Sequence, residues 1–166
     1  MARRKVVYCG DPVLRRKASR VRRIDDEICS LLDDMRETML EHNGLGLAAA
    51  QVGVPSTVVV IRRDPEGEGV IELINPRIVR PSKAAVEAID RDGNEILVEG
   101  EGMIARCLVH ELDHLAGRLF IDEVDPETLC WLRPDQREES GYRAESTTLE
   151  EAREAFERLR RQKREA

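Results

Sequence analysis

An α+β fold, with a mostly antiparallel sheet packed around a central helix, is what this 166-residue sequence predicts. Three observations carry that expectation. Short β-branched or alternating runs separated by turn residues fill the middle of the chain, a strongly apolar helical segment follows them, and an amphipathic helical segment comes last. The length suits one domain with a modest core, and no internal repeat argues for two.

The elements follow in order. Asp25, Asp26 and Glu27 precede Ile28, Leu31, Leu32, Met35 and Met39, whose spacing makes one apolar helix face, and Asn43-Gly44 stops the pattern. Next comes Gly44-Leu45-Gly46-Leu47-Ala48-Ala49-Ala50-Gln51, whose small residues allow a close backbone approach, and then the β-branched run Thr57 to Ile61. Val70 to Ile74 reads as a strand pairing back on that run, with Asn75-Pro76 expected to interrupt it. Val86 to Ile89 and Glu95 to Val98 flank Asp90-Arg91-Asp92-Gly93-Asn94, a turn tolerant of positive φ, and so predict a hairpin. From Met103 to Leu115, apolar residues around most of the circumference predict a buried helix that ends at Gly117. Residues 134 to 147 are polar and without period, which predicts a linker. Thr148 with Glu151 forms a capping box for a last helix whose face carries Leu149, Ala152, Phe156 and Leu159.

The formal net charge of −6 disfavours non-specific nucleic-acid binding by the body of the protein, although the last nine residues are basic. No apolar stretch at the N-terminus reaches the length of a signal peptide, and no run approaches a membrane span, so a cytoplasmic location is expected. Cys9, Cys29, Cys107 and Cys130 lack CxxC spacing and read as separate thiols, most simply small apolar side chains.

The chemistry concentrates in His110-Glu111-Leu112-Asp113-His114. Imidazoles four residues apart on a helix project from one face and can hold a single metal ion. Glu111 beside them can take a proton from a water and later return one to a leaving amine, which points to hydrolysis. For Asp113 two roles stay open, orienting a ligand or forming a surface ion pair.

HELDH followed by Leu115-Ala116-Gly117-Arg118-Leu119-Phe120-Ile121-Asp122 resembles the third signature motif of peptide deformylases, and Gly44 to Gln51 is similar to their first motif, GxGLAAxQ. Asp11-Pro12-Val13-Leu14-Arg15, Ile74-Asn75-Pro76 and Asp90-Arg91-Asp92-Gly93 extend the resemblance over most of residues 6 to 124. It implies His110 and His114 as metal ligands, Glu111 as general acid and base, and Gln51 as donor to the formyl oxygen, with Gly44, Gly46 and Leu47 beside the substrate. It further implies removal of formyl groups from N-terminal formylmethionine of nascent polypeptides, with Fe2+ in the site and Zn2+ or Ni2+ able to replace it. Some members dock at the ribosome through a basic C-terminal helix, and Arg158, Arg160, Arg161, Lys163 and Arg164 would be that feature here. The expected organisation is a catalytic domain over 1–133, a linker over 134–147 and a helical tail over 148–166.

One departure is specific. The family's second motif, EGCLS, supplies the third ligand through its cysteine and an oxyanion contact through the next residue, whereas this chain passes from Val79 straight to Arg80-Pro81-Ser82-Lys83. Glu99-Gly100 and Glu101-Gly102 do not replace it, since no Cys-Leu-Ser follows either. Cys107 shares a helix face with His114, but a metal held by the two histidines would sit about 7.5 Å further along the axis, too far for a thiolate bond of about 2.3 Å. The resemblance therefore implies a deformylase whose activity is impaired; the other reading is a catalytically degenerate protein of that fold which binds peptide N-termini. An unrelated HExxH metalloprotease is disfavoured by the glycine motif and the matching order of segments.

Overall fold

The computed structural model describes residues 3–64, 69–81, 84–135, 137 and 142–162. The chain divides into two compact units: the residues up to Val7 with Pro12–Arg118, and Tyr8–Asp11 with Leu119–Ala166. That division differs from the expected boundary at 133/134.

The first unit is a five-stranded antiparallel sheet, β1 (Gly46–Ala48), β2 (Val58–Arg62), β3 (Val70–Arg80), β4 (Ala85–Ile89) and β5 (Glu95–Glu99), in sequence order. Helix α1 (Asp26–Glu41) and helix α2 (Gly102–Leu115) cover it. Val58 and Val60 of β2 share a core with Leu31, Leu32, Met35 and Met39 of α1, whereas Val59 and Ile61 share one with Cys107, Leu108 and Leu115 of α2. A strand buried on both faces needs no polar alternation, which is why β2 reads as an unbroken apolar run.

Asp25 caps α1 by accepting from the Ile28 amide at 3.1 Å, as its position ahead of the apolar face predicts. Gly117 closes α2 at φ 75°, and a Cβ there would lie 2.7 Å from the carbonyl oxygen of Arg15. Only glycine satisfies both the left-handed backbone and that approach. The Ala18 amide then donates to the Leu115 carbonyl at 2.9 Å, tying the N-terminal segment to the end of α2.

Two expectations need correction. Asn75-Pro76 does not end a strand, because β3 continues to Arg80 through a register shift between Ile74 and Arg77. Asn75 takes φ 53°, and its Oδ1 accepts from the Val21 amide at 2.9 Å and the Thr57 hydroxyl at 2.6 Å while its Nδ2 donates to the Val21 carbonyl at 2.9 Å. The side chain replaces ladder bonds lost at the bulge, where Pro76 can sit without a donor. Nor is α2 buried all round: Met103 is 59% exposed and Val109 39%, so only the face toward the sheet is covered.

In the second unit the segment expected to be a linker, 134–147, holds a strand. Strand β6 (Cys130–Pro134) pairs antiparallel with β7 (Tyr142–Ser146), in register from Cys130 opposite Ser146 to Pro134 opposite Tyr142. Helix α3 (Leu149–Gln162) follows, and its capping box forms: the Glu151 amide donates to Thr148 Oγ1 at 3.1 Å and the Thr148 amide to Glu151 Oε2 at 3.0 Å. Phe156 of α3 meets Trp131 of β6 edge to face, with ring centroids 6.1 Å apart.

Candidate metal centre

α2 and β1 build the site. His110 and His114 are one turn apart on α2, with Nε2 atoms 3.1 Å from each other. Two imidazole nitrogens bound to one tetrahedral ion at about 2.0–2.1 Å stand roughly 3.3 Å apart, so the pair is spaced for a shared divalent cation. His110 is exposed and His114 buried. Desolvation, then the neighbouring His110, lowers the His114 pKa to about 4, so its ring is neutral at physiological pH, as a ligand must be.

Glu111 points into the protein and is 3% exposed. Its Oε2 has no hydrogen-bond partner, and neither has the buried Nδ1 of His114. Unsatisfied buried polar atoms are costly, and two of them on one helical turn mark a place kept for something else. Burial pushes the Glu111 carboxyl up to about 8, against the opposing effect of a hydrogen bond from the Ala48 backbone. A carboxyl tuned near neutrality can both take and give a proton.

Gly46 decides how closely β1 meets this turn. A Cβ at residue 46 would fall 2.6 Å from Cys107 Sγ and 2.8 Å from Glu111 Cγ and Oε1. The small residues of the glycine motif thus let the strand backbone touch the helix that carries the site. Gln51, in the short 3-10 turn after β1, accepts from the Ala48 amide through Oε1 at 2.6 Å, which orients its NH2 group as the remaining donor.

The remaining sequence candidates have other surroundings. Leu47, expected beside the substrate, sends its side chain to the opposite face of the sheet, into the α1 core, because side chains alternate along a strand. Gly44 packs beside Met39 at the end of α1, and its carbonyl accepts from Arg62 Nε at 2.9 Å. Asp113 accepts from Arg118 Nε at 3.1 Å, so of its two open roles the structure shows the ion pair. Cys107 is buried in the core, as expected, and desolvation with Glu111 nearby pushes its thiol up to about 12.

Among the described residues, which include all four cysteines and all three histidines, no three His, Cys, Asp or Glu side chains gather into a metal-binding group. The two imidazoles are spaced for an ion, and no third protein donor joins them among the described residues.

The chain is similar to known proteins in sequence and fold. A family model described as polypeptide deformylase matches residues 3–84 and 77–129. A peptide deformylase of Caldicellulosiruptor bescii is 45% identical over 147 positions, taking in 75% of this chain and 87% of the relative. One from Thermomicrobium roseum is 38% identical over 176 positions, taking in 89% of this chain and all of the relative. The crystal structure of a Legionella pneumophila peptide deformylase matches with a TM-score of 0.70 and 34% identity, over 75% of this chain and 88% of that one. That of the Thermotoga maritima enzyme matches with a TM-score of 0.68 and 31% identity, over 76% of this chain and 100% of that one. An alignment of 176 positions exceeds the 166 residues of this chain, so the relative has residues without a counterpart here. The family model matches in two pieces that overlap at residues 77–84, from the end of β3 to the start of β4. With the glycine motif, the two histidines and the sheet all in their family order, the chain belongs to the polypeptide deformylase family.

Proposed function

We infer that this protein is a peptide deformylase, a metal-dependent hydrolase acting on the formyl group of N-terminal formylmethionine in nascent polypeptides, with its activity impaired by the missing donor. The observation that carries the reading is the buried Glu111 carboxyl, with one oxygen unpartnered, beside two converging imidazoles. Formamide hydrolysis needs a water to lose a proton and an amine to gain one, and Glu111 is placed for both transfers. Gln51 offers its NH2 to the formyl oxygen, β1, at the end of the sheet order, offers its outer edge to an extended peptide backbone, and Gly44, Gly46 and Leu47 contribute through their main chain. His110 and His114 would hold the cation, which we read as Fe2+ with Zn2+ or Ni2+ as substitutes; when bound it supplies Lewis acidity.

The missing third donor favours a second reading, a degenerate protein that binds peptide N-termini without hydrolysing them. Glu111→Gln separates the two. Turnover of a formyl-methionyl peptide should be lost while His110 and His114 still bind metal, and equal turnover by variant and parent would sink the mechanism. Binding of the peptide with no turnover by the parent would leave the second reading.

No helix among the described residues is long and apolar enough to cross a membrane. We place the protein in the cytoplasm, meeting formylated chains at the ribosome through α3. Arg158 and Arg161 are exposed on that helix, whereas the Arg160 side chain lies within 3.6 Å of the position a Cβ on Gly10 would take. Lys163 and Arg164 lie outside the described residues.

A further inference from the structure

We propose that the segment from Arg15 to Arg23 is a docking strap for the phosphate backbone of RNA, a contact separate from α3 and from the histidines of α2. The net charge of −6 counts against such a partner only as an average. These nine residues hold six of the chain's 27 lysines and arginines and no acid, and all six cations are exposed. Among the described residues, Arg16, Lys17, Arg20, Arg22 and Arg23 enter no side-chain ion pair.

The backbone beneath them is fixed. The Ala18 amide donates to the Leu115 carbonyl at 2.9 Å, the Ser19 amide to the Pro55 carbonyl at 2.8 Å and the Thr57 amide to the Ser19 carbonyl at 3.0 Å, while the Asn75 side chain bonds both the amide and the carbonyl of Val21. Ala18 is buried, so the segment turns its small apolar residue inward and its cations out. A segment already ordered need not be ordered again when a partner binds.

The placing of the charges narrows the partner. Lys17 and Arg20 line a hollow beside β3, β4 and β5, and Arg22 and Arg23 line another at the start of α1. Of the carboxylates in those hollows, Glu87 is paired with Arg77 at 2.7 Å and Asp25 caps α1, which leaves Glu95 and Glu27 against four cations. Cations strung along a strap over two hollows do not converge on one small anion; they suit a polymer with a charge at every repeat. Five of the six are arginine, whose planar fork takes a phosphate through two N–H groups. The strap has no exposed apolar side chain to enter a lipid surface and no aromatic ring to stack on a base, so the contact is to phosphates and independent of sequence. RNA as the source of those phosphates rests on the reading of the protein as one that meets nascent polypeptides. Contacts of this kind are weak at physiological salt, on the order of 10⁻⁴–10⁻⁶ M, too weak to keep the chain on a ribosome without α3.

Anisotropy of a labelled RNA hairpin, titrated with the full chain at low salt, tests the strap. Changing Arg16, Lys17, Arg20, Arg22 and Arg23 together to Gln should weaken binding about tenfold or more, and should flatten log affinity against log salt by roughly 0.7–0.9 for each cation that meets a phosphate. Arg158→Gln with Arg161→Gln should lose less. Changing the four arginines of the five to lysine keeps the charge and should hold binding within a few-fold of the parent, which separates lost charge from lost fold. A Gln variant that binds like the parent, or that loses no more than the α3 variant, would overturn the proposal. So would a lysine variant as weak as the Gln variant. Parent protein that binds phosphatidylserine vesicles but not the hairpin at the same ionic strength would put a membrane in place of RNA and overturn it too. The readout needs no turnover, so a chain that binds RNA through the strap yet hydrolyses no formyl peptide would support the strap and count against the proposed function alone.

Discussion

Gly46 has no room for even a methyl group: residue 46 faces Cys107 Sγ and the Glu111 side chain at 2.6 and 2.8 Å from where a Cβ would stand. Gly46→Ala should therefore destabilise the protein by roughly 1–3 kcal/mol, the usual cost of overpacking, and should also displace Glu111. Adding Cys107→Ala should recover part of the stability in a urea titration but little of the hydrolytic rate, since the Glu111 contact remains. Equal recovery of both would mean that Gly46 acts through core packing alone. Cys107 itself should be slow toward iodoacetamide at neutral pH, because its thiol, pushed up to about 12 and buried, offers almost no thiolate. Exposed Cys130 should be modified first, and peptide mapping of a time course would show the order. That His110 and His114 share one helix face was legible in the sequence because helical spacing is local information. The sidedness of Leu47 and the ion pair that occupies Asp113 were not, since each depends on what the fold brings opposite.

At the level of elements, the bulge in β3 is held by one side chain. Asn75→Ala removes the acceptor for the Val21 amide and the Thr57 hydroxyl and the donor to the Val21 carbonyl, and it places alanine at φ 53°. The expected loss is about 2–4 kcal/mol from hydrogen bonds and backbone strain together, read as a lower urea midpoint. A loss below experimental error would mean the bulge is held by its flanking ladder. In α3 the capping box predicts that Thr148→Ala costs about 0.5–2 kcal/mol, seen as faster amide exchange in the first turn. α1, the β4–β5 hairpin and the α3 cap were readable because each depends on residues within a few positions of one another. β3 through Asn75-Pro76 and the β6–β7 pairing were not. The first is rescued by Val21, 54 residues away, and the second joins strands whose connecting segment carries no tight-turn signature.

For the whole molecule, net charge and its distribution set how it meets other molecules. A chain of net charge −6 that nonetheless associates with ribosomes through Arg158 and Arg161 should do so with a steep salt dependence, and deletion of residues 148–166 should abolish co-sedimentation. Co-sedimentation that survives the deletion, or none by the full chain at low salt, would remove α3 from the proposal. The same acidic balance appears in miniature along β5, which among the described residues has a strand on one side only, β4. Its exposed residues are Glu95, half-covered Leu97 and Glu99. Were two copies to join edge to edge, antiparallel and centred on Leu97, each Glu95 would stand opposite the other copy's Glu99. Like charges placed directly across a ladder repel, here tempered by Arg80, which pairs with Glu99 at 3.2 Å, so the open edge with its apolar centre disfavours the strand addition that leads to aggregation.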